Sequence, residues 1–396
     1  MVMTTDKKKD TQQYNIATHL AHYGSAPHSY NGLVNPPVHR ASTIIIEDYE
    51  GFQNCFSAPY RYGREGTPST KAFERAIADL DQAYGAIATS SGLSAITSVL
   101  LAFTKIGAHI LLPDNFYGFS RQYADETLGR YGINVTYYKP MISEQELEGL
   151  ITPETSLIYI EAPGSLTYEV SDIGMIVDVA KRHNIPTACD NSWGTPINFS
   201  PMSYGIDVSI MSATKYINGH SDIMLGVISC KDQDTYETVL HAVRQSGNCP
   251  GSEEIYLGLR GLRTLSTRME QHKKTGLMLA EWLSTHPTVK TVLHPAFPSC
   301  PGHQNWQKYF KGTSGVFAIV LHETSPEKIG ACLDALHIFK MGFSWGGFES
   351  LIFPEQLSDQ RLSRPWDGDG FLMRIHAGLE DPQDLKSDLE AGLAVL

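Results

Sequence analysis

Between residues 72 and 229, short apolar segments alternate with segments that have the period of amphipathic helices. The apolar segments read AIAT, HILLP, INVTYY, SLIYIE, IPTACD, VSIM and IMLGVIS, and the helical ones include residues 71–84 and 173–183. Strands that alternate with helices form mainly parallel sheets with helices on their faces. Such sheets bind ligands at the carboxyl ends of their strands. The pattern therefore predicts an α/β fold with a mainly parallel sheet.

The flanking segments predict an N-terminal arm and a smaller C-terminal domain. Residues 1–66 are rich in Tyr, Asn, Pro and His and have little periodicity, which is typical of an arm that lies on another surface, here a neighbouring subunit. Residues 67–255 form the predicted large domain. Residues 256–396 form an α+β domain with strands near 315–322 and 371–379 and a helix near 326–336, and a long helix over 253–282 bridges the two domains.

Lys215 lies in DVSIMSATKYINGHS (residues 207–221), after small and hydroxylated residues and before a Gly-His-Ser turn. A lysine that forms a Schiff base with an aldehyde cofactor must be partly desolvated, so that its ammonium loses a proton. It must also have short neighbours that leave room for a ring and a phosphate. Ser212, Ala213 and Thr214 have such side chains. Most single lysines are solvated surface charges, but the neighbouring motifs favour the Schiff-base interpretation.

Asp190 closes the apolar segment IPTACD, so we place it at the carboxyl end of a buried strand, one strand before Lys215. A carboxylate at this place can keep a pyridinium nitrogen protonated, which makes the ring an electron sink. An Asp before Asn-Ser-Trp-Gly is otherwise more often a turn or cap residue. Its placement beside the lysine strand favours the site interpretation.

The segment AIATSSGLSAI (residues 86–96) predicts a phosphate cradle, because it runs from a short strand through Ser-Ser-Gly into a helix. Backbone N–H groups at a helix start bind anions, and glycine permits close approach. Gly92 and Leu93 would donate main-chain bonds, and Ser212 and Thr214 would add hydroxyls. A lone Ser-Gly pair is most often only a cap. The absence of G-x-G-x-x-G at this point argues against a dinucleotide-dependent oxidoreductase.

Six further motifs resemble one enzyme family over nearly the whole chain: YGREGTP (62–68), SGLSA (91–95), DNSWGTP (190–196), LGLRGLRTL (257–265), SWGGFESL (344–351) and RIHAGLED (374–381). This is the Cys/Met-metabolism family of pyridoxal 5'-phosphate (PLP) enzymes, and within it the chain resembles the cystathionine β-lyases. The resemblance implies the PLP-dependent transferase fold type I, similar to aspartate aminotransferase, with a seven-stranded sheet. It also implies PLP bound as a Schiff base to Lys215.

The resemblance further assigns a role to residues outside the lysine segment. Tyr117, in DNFYGFS, matches the aromatic residue that stacks on the cofactor ring. Tyr62 and Arg64 match the pair that reaches the phosphate of the adjacent subunit's cofactor. Tyr62 and Tyr117 are, with Lys215, the catalytic candidates. The implied assembly is a homotetramer of two dimers with shared active sites. A second pair, Tyr60-Arg61, lies two residues upstream and has no assigned role.

Three residues near the C-terminus are the substrate-binding candidates. Arg374 matches the arginine that binds the substrate α-carboxylate, because a guanidinium makes a planar two-pronged contact that lysine cannot make. Ser344 and Trp345 would contact the carboxylate side of the same pocket. The β-lyases also have Ser-Trp-Gly-Gly here, whereas γ-synthases and γ-lyases commonly have leucine at the tryptophan position.

The resemblance implies α,β-elimination of L-cystathionine to homocysteine, pyruvate and ammonia, a carbon–sulfur lyase reaction of methionine biosynthesis. Cystathionine γ-synthase, cystathionine γ-lyase and methionine γ-lyase are the alternatives, because they use the same lysine, aspartate and phosphate cradle. Racemisation of small amino acids is open as a side activity. A protein that only retains the cofactor is disfavoured, because Lys215, Asp190 and Arg374 are all present.

Composition narrows the class of protein further. The 396 residues are 42% hydrophobic and carry a formal net charge of -12, so we expect no nucleic-acid partner and no anionic membrane partner. The six cysteines are widely spaced, without a metal-ligand pattern, so we expect reduced thiols and no metal. The first fifteen residues lack the apolar core of a signal peptide, and no apolar stretch approaches a membrane span. We therefore predict a cytoplasmic enzyme.

Overall fold

The fold contains two β-sheets, each covered by helices. A computed structural model of the protein describes residues 14–322, 324–355, 357, 361–362, 364–366 and 370–396. The first sheet has seven strands in the order β1-β7-β6-β5-β4-β2-β3, and the second has four in the order β10-β11-β9-β8. The strands are β1 (Gly85–Thr89), β2 (His109–Pro113), β3 (Asn134–Tyr138), β4 (Thr155–Glu161), β5 (Thr187–Asp190), β6 (Val208–Met211), β7 (Gly226–Cys230), β8 (Val289–Leu293), β9 (Val316–Leu321), β10 (Leu351–Glu355) and β11 (Phe371–His376).

The helices of the described residues precede, separate and follow these strands. They are α1 (Ile16–His22), α2 (Tyr49–Gln53), α3 (Pro68–Asp81), α4 (Gly92–Ala102), α5 (Gly118–Gln122), α6 (Glu144–Leu150), α7 (Ile173–Arg182), α8 (Thr195–Asn198), α9 (Gln233–Gln245), α10 (Ser252–Leu262), α11 (Leu265–Leu283), α12 (His303–Tyr309), α13 (Pro326–Asp334) and α14 (Pro382–Leu393). None of the helices in this described part is both long and apolar enough to cross a lipid bilayer.

The seven-stranded sheet confirms the predicted fold class. Its strands are parallel except β7, which runs antiparallel to both β1 and β6. Every residue of β2, β6 and β7 is buried. Burial on both faces explains why the sequence shows continuous apolar segments here rather than the alternation of a half-exposed strand.

The four-stranded sheet separates two apolar cores. Val316, Ala318 and Val320 of β9 pack into the core that contains Trp193 and Phe310, which lies on the side of the seven-stranded sheet. The intervening residues of β9 pack against α11, α13 and α14. Because successive side chains of a strand point to opposite faces, this one strand joins the C-terminal sheet to both layers. The sequence pattern did not predict β8 or β10, and β10 contains Pro354, which an edge strand tolerates.

The predicted bridging helix over residues 253–282 is two helices, α10 and α11, with Arg263 and Thr264 between them. Gly261 lies so close to the lysine loop that a Cβ there would be 2.5 Å from the Ile217 carbonyl oxygen. This contact fixes α10, and the chain then changes direction before α11. A hydrophobic period alone does not show such a break.

The predicted arm exposes large apolar side chains. Leu33, Val34, Ile45 and Phe56 are more than 60% exposed in the single chain, which is unusual for a contiguous segment of a monomer. Residues 1–13 of the arm lie outside the described residues. The placement of the arm on a neighbouring subunit, like the domain boundaries at 66 and 255, stays a prediction.

Candidate active site

Three of the predicted motifs meet at the carboxyl edge of the large sheet. Asp190 ends β5, Ser212 directly follows β6, and Gly92 begins α4 just after β1. Strands β1, β5 and β6 run in the same direction, so their carboxyl ends lie along one edge. This is the place where open α/β sheets bind ligands.

Lys215 is largely buried at this edge. Its Nζ donates a hydrogen bond to Ser344 Oγ at 2.7 Å, which joins the lysine loop to the segment before β10. Burial, and to a smaller extent the Arg374 guanidinium, lower the pKa of Lys215 to about 8, although Asp190 opposes both effects. An ammonium with this pKa releases its proton near neutral pH, which a Schiff-base lysine and a general base require.

Ser344 and Trp345, which the sequence assigns to the carboxylate side of the substrate pocket, lie against Lys215 in the structure. Ser344 has a φ of 102°, a strained value for a residue with a side chain. The Lys215 Nζ lies 5.3 Å from the Trp345 ring centroid, and this ring also packs on Tyr216 at 5.4 Å. Behind them, Gly346 leaves no room for a side chain, because a Cβ would be 2.8 Å from the Tyr216 nitrogen. The indole therefore forms one wall of the pocket around the lysine amine.

The lysine loop is held from behind by Arg268 of α11. Its buried guanidinium donates to the carbonyl oxygens of Tyr216 at 2.6 Å, Ile217 at 3.2 Å and Gly261 at 2.8 Å. Gly219, with a φ of 73°, leaves the space that this guanidinium occupies. Sequence reasoning assigned no role to Arg268. Its contacts fix the backbone immediately after Lys215.

Asp190 is a buried carboxylate that accepts a hydrogen bond from the Ser192 backbone N–H at 2.8 Å. Burial raises its pKa, while the Ser192 hydrogen bonds and Lys215 oppose that effect. In the described residues, no ion pair includes Asp190. A buried carboxylate that forms no ion pair gains most from a positively charged ligand, which is the requirement for binding a pyridinium.

Glu161 is a site residue that sequence reasoning missed. It ends β4, and the strand register places it beside Asp190 of β5. Its Oε2 accepts from the Tyr117 backbone N–H at 2.9 Å, and its Oε1 accepts from Ser165 Oγ at 2.6 Å. Burial and then Asp190 raise its pKa to about 8. The carboxylate at the end of SLIYIE was the available signal, because it repeats the pattern of IPTACD.

The predicted phosphate cradle has the close approach that its glycine permits. A Cβ on Gly92 would be 2.6 Å from Ser212 Oγ, and the Ser212 backbone N–H donates to Ser192 Oγ at 2.7 Å. Gly92 and Leu93 are in the first turn of α4, where backbone N–H groups have no partner within the helix. Thr214 differs from the expectation, because its hydroxyl donates to the Leu225 carbonyl at 3.1 Å and accepts from the Leu225 N–H at 2.9 Å. A phosphate contact by Thr214 would have to replace the first of these bonds.

Tyr117 and Arg374 are close enough to interact electrostatically. Tyr117 is 40% exposed, so part of this residue is accessible to a ligand. Burial raises the pKa of Tyr117, Glu161 raises it further, and Arg374 lowers it. Arg374 Nη1 lies 3.4 Å from Glu355 Oε1. Glu355 is the second acidic residue that the sequence interpretation did not place here.

Within the single chain, Tyr62 and Arg64 contact residues other than those of the Lys215 site. Arg64 Nη1 donates to the Arg244 carbonyl at 3.3 Å, and its guanidinium lies 6.0 Å from the Tyr62 ring centroid. No hydrogen bond or ion pair within the described part of the chain joins either residue to Lys215. Arg61 instead pairs with Glu65 at 2.6 Å and lies over the Phe56 ring. The upstream Arg is therefore already neutralised.

Comparison with known proteins decides the family. The model of the Cys/Met metabolism PLP-dependent enzymes matches residues 17–394. The chain belongs to this family. It is 42% identical over 393 residues, 98% of each protein, to a putative cystathionine β-lyase of Rhizobium johnstonii. It is 36% identical to the cystathionine β-lyase MetC of Escherichia coli, covering 98% of this chain and 99% of that protein.

Two other similarities show the range of reactions in the family. An L-alanine/L-glutamate racemase of Wolbachia pipientis is 41% identical and covers 95% of this chain and 96% of its own length. A cystathionine γ-synthase of Xanthomonas oryzae, solved in complex with aminoacrylate and cysteine, superposes with a TM-score of 0.89. That structure is 28% identical and covers 96% of this chain and 98% of its own. The predicted fold type and the family are thus confirmed.

The protein is therefore a PLP-dependent enzyme of a group whose members include carbon–sulfur lyases, and its site fits PLP. Gly92 leaves the Ser212 hydroxyl room beside the first turn of α4, as a phosphate requires. Asp190 supplies a buried anion for the pyridine nitrogen, and Lys215 supplies an amine whose pKa is near 8. Tyr117 is a partly exposed aromatic residue. These four features satisfy the charge, space and nucleophile that the cofactor needs.

Proposed function

We propose that the protein catalyses the α,β-elimination of L-cystathionine to homocysteine, pyruvate and ammonia. The observation that carries this proposal is the indole of Trp345, which walls the pocket 5.3 Å from the Lys215 amine. An indole at this position narrows the space beside the substrate's α- and β-carbons. The named cystathionine β-lyases among the relatives support the same reaction.

Lys215 carries the proton transfers in this mechanism. When PLP is bound, its ring withdraws electrons from the substrate Cα and makes the Cα–H bond acidic. The Lys215 amine, displaced by the substrate's amine, accepts that proton, and its pKa of about 8 makes it an effective base near neutral pH. The Cβ–S bond then breaks with its electron pair on sulfur. Lys215 Nζ or the partner's Tyr62 hydroxyl returns a proton to the thiolate, and water releases pyruvate and ammonia from the remaining fragment.

The remaining residues position the substrate and the cofactor. Arg374 binds the α-carboxylate, Ser344 orients the Lys215 amine through its 2.7 Å hydrogen bond, and Asp190 holds the pyridine nitrogen. Glu161 fixes the backbone of Tyr117 and thereby the ring that stacks on the cofactor. The geometry of proton transfer therefore depends on both sheets.

The identity of the keto acid tests this proposal. We expect the purified protein, incubated with L-cystathionine, to form pyruvate and homocysteine in equal amounts, measured by chromatography with a parallel thiol assay. Formation of 2-oxobutyrate and cysteine would make the enzyme a γ-lyase. If neither product forms, the β-lyase proposal is wrong, and assays with an activated homoserine ester and cysteine would test the synthase reaction.

Amino-acid racemisation is a second candidate, favoured by the similarity to the Wolbachia L-alanine/L-glutamate racemase. After loss of the α-proton, return of a proton to the opposite face of Cα would invert the substrate. Chiral chromatography of L-alanine incubated with the enzyme would detect D-alanine. A D-alanine rate above the pyruvate rate from cystathionine would make racemisation the main activity.

We propose that the active sites are shared between two subunits, in a cytoplasmic homotetramer of two such dimers. The exposed apolar side chains of the arm support a subunit contact there. Gly63 fixes the start of the turn that presents Arg64, because a Cβ on Gly63 would be 1.7 Å from the Ala41 carbonyl oxygen. In this arrangement Tyr62 and Arg64 reach the cofactor phosphate of the partner.

Loss of either arm residue is expected to weaken cofactor retention. Arg64→Ala removes a positive charge from the proposed phosphate site, and Tyr62→Phe removes a hydroxyl donor, so both variants are expected to lose more PLP than the native enzyme during dialysis. Arg40→Ala is the matched control, since Arg40 lies in the same arm but pairs with Glu253. Bound PLP is measured by absorbance after alkaline release. Retention equal to that of Arg40→Ala in both variants would exclude the shared site.

A further inference from the structure

Glu355 lies beside the residue that we assign to the substrate carboxylate. Its Oε1 is 3.4 Å from Arg374 Nη1, and the two side chains are 17% and 13% exposed. In the antiparallel pair of β10 and β11, Phe353 lies opposite Arg374. Glu355 is therefore the diagonal neighbour of Arg374 on the same face of the sheet.

The surroundings of Glu355 belong to the cofactor cleft. Among the described residues, the titratable and charged groups that face it are Arg374 from β11, Tyr117 from the segment before α5, and Tyr168 from the loop after β4. Arg374 is the cation among these groups. Burial raises the pKa of Glu355, and Arg374 opposes this effect. Glu355 has no role in the proposed elimination, although its carboxylate lies beside the proposed carboxylate-binding residue Arg374.

Both terminal nitrogens of the Arg374 guanidinium already have a partner among the described residues. Its Nη2 lies 3.5 Å from the Gly342 carbonyl oxygen, and its centre lies 5.5 Å from the Phe353 ring centroid. A two-pronged contact with a substrate carboxylate requires two parallel N–H groups. Glu355 occupies the Nη1 side, and a second carboxylate there would be repelled by it.

We propose that Glu355 competes with the substrate's α-carboxylate for the Arg374 guanidinium, and so acts as a specificity-determining residue that makes substrate binding depend on pH. The inference rests on the assignment of Arg374 in the proposed function. Before substrate arrives, Glu355 neutralises Arg374. When the α-carboxylate binds, Glu355 takes up a proton and releases the guanidinium.

The sign of the pH dependence follows from this exchange. A second carboxylate beside Glu355 raises its pKa further, so the complex binds one proton more than the free site. Carboxylate binding is therefore tighter at low pH and weaker at high pH. Glu355 has one pKa in the free site and a higher one in the complex. Between these two values, the affinity for the carboxylate falls by up to about tenfold for each unit that the pH rises.

Glycine and methylamine form a matched pair of probes, because methylamine is glycine without its carboxylate and both amines are protonated between pH 6 and 8. Each binds to the PLP enzyme and changes the cofactor's absorbance, which gives a dissociation constant without turnover. For the native enzyme we expect the preference for glycine over methylamine to increase as pH falls from 8 to 6. A preference that does not change with pH would overturn the proposal.

The variant Glu355→Gln removes the competing charge and retains the side chain's size. At pH 8 we expect it to bind glycine at least about tenfold more tightly than the native enzyme, with methylamine affinity changed by less than about twofold. Its glycine preference should not change with pH. Unchanged or weaker glycine binding would show that Glu355 only supports Arg374 and would overturn the proposal. If the variant does not fold, the native pH series decides the outcome.

Two controls separate this inference from the proposed reaction. Glu281→Gln, on the exposed face of α11, removes the same formal charge far from the cleft and should leave both affinities unchanged. Arg374→Ala should abolish the preference for glycine. If it does not, Arg374 is not the carboxylate-binding residue and the inference is wrong, whereas the keto acid formed from cystathionine tests the elimination independently.

Discussion

Lys215→Ala is expected to lose the visible absorbance of lysine-bound PLP and to lower turnover by at least about 10³–10⁴-fold, because one side chain supplies both the covalent link and the base. Among the described residues, the buried Lys215 amine is the only side-chain group that forms a hydrogen bond with Ser344. Absorbance spectroscopy of the purified variant and its rate of keto acid formation are the measurements. Substantial elimination activity in this variant would show that Lys215 is not the catalytic lysine.

Two further experiments strengthen the Lys215 test. Lys105→Ala removes a lysine from an exposed loop and is expected to retain both absorbance and turnover. In the native enzyme, kcat is expected to rise with pH towards about 8, because only the neutral amine accepts the α-proton and the pKa of Lys215 is lowered to about 8. A kcat that is independent of pH between 6 and 9 would mean that a step other than this proton transfer limits turnover.

Asp190→Asn is expected to lower kcat by at least about 10²–10³-fold, the usual cost of removing one preorganised electrostatic group from an active site. The asparagine oxygen can still accept the 2.8 Å hydrogen bond from Ser192, so the fold of the loop is retained. The variant loses the negative charge that holds the pyridine nitrogen protonated. Steady-state kinetics with a PLP titration measures the effect. A kcat within tenfold of the native value would exclude the proposed contact.

Asp81→Asn is the matched control for Asp190→Asn, because Asp81 is a fully buried carboxylate in the same domain, beside the Ser209 and Ser229 hydroxyls. It ends α3, and the described residues include no ion pair with it. Burial raises the pKa of Asp81 to about 6. Its folded-state pKa is thus above the unfolded value, so the stability that protonation contributes is complete below about pH 4 and is lost as pH rises through about 6.

We therefore expect Asp81→Asn to retain activity and to be more stable than the native enzyme at pH 8, by about 3 kcal/mol. The difference should disappear at pH 4, where the native carboxyl is protonated. Thermal unfolding of both proteins across this pH range measures the effect. Equal melting temperatures at pH 8 would show that the Asp81 carboxylate is solvated or paired in the folded enzyme.

The contrast between Asp190 and Glu161 shows which site residues a sequence motif can identify and which it cannot. Both carboxylates end apolar strands, but only Asp190 came with a matching family motif, so only Asp190 was predicted. The register of β4 and β5 places the two side by side. Parallel strands that are neighbours in the sheet are separated in sequence by a helix, so their pairing is not visible in the chain.

The sequence by itself determined the mainly parallel sheet, the family and the identity of the lysine, aspartate and glycine at its edge. These features depend on the local sequence, because apolar segments of strand length and short motifs each extend over only a few consecutive residues. Only the tertiary structure decided the break between α10 and α11, the engagement of Thr214 with Leu225, and the pairing of Glu355 with Arg374. These depend on contacts between distant segments, whose register and burial set the charge and the space at the site.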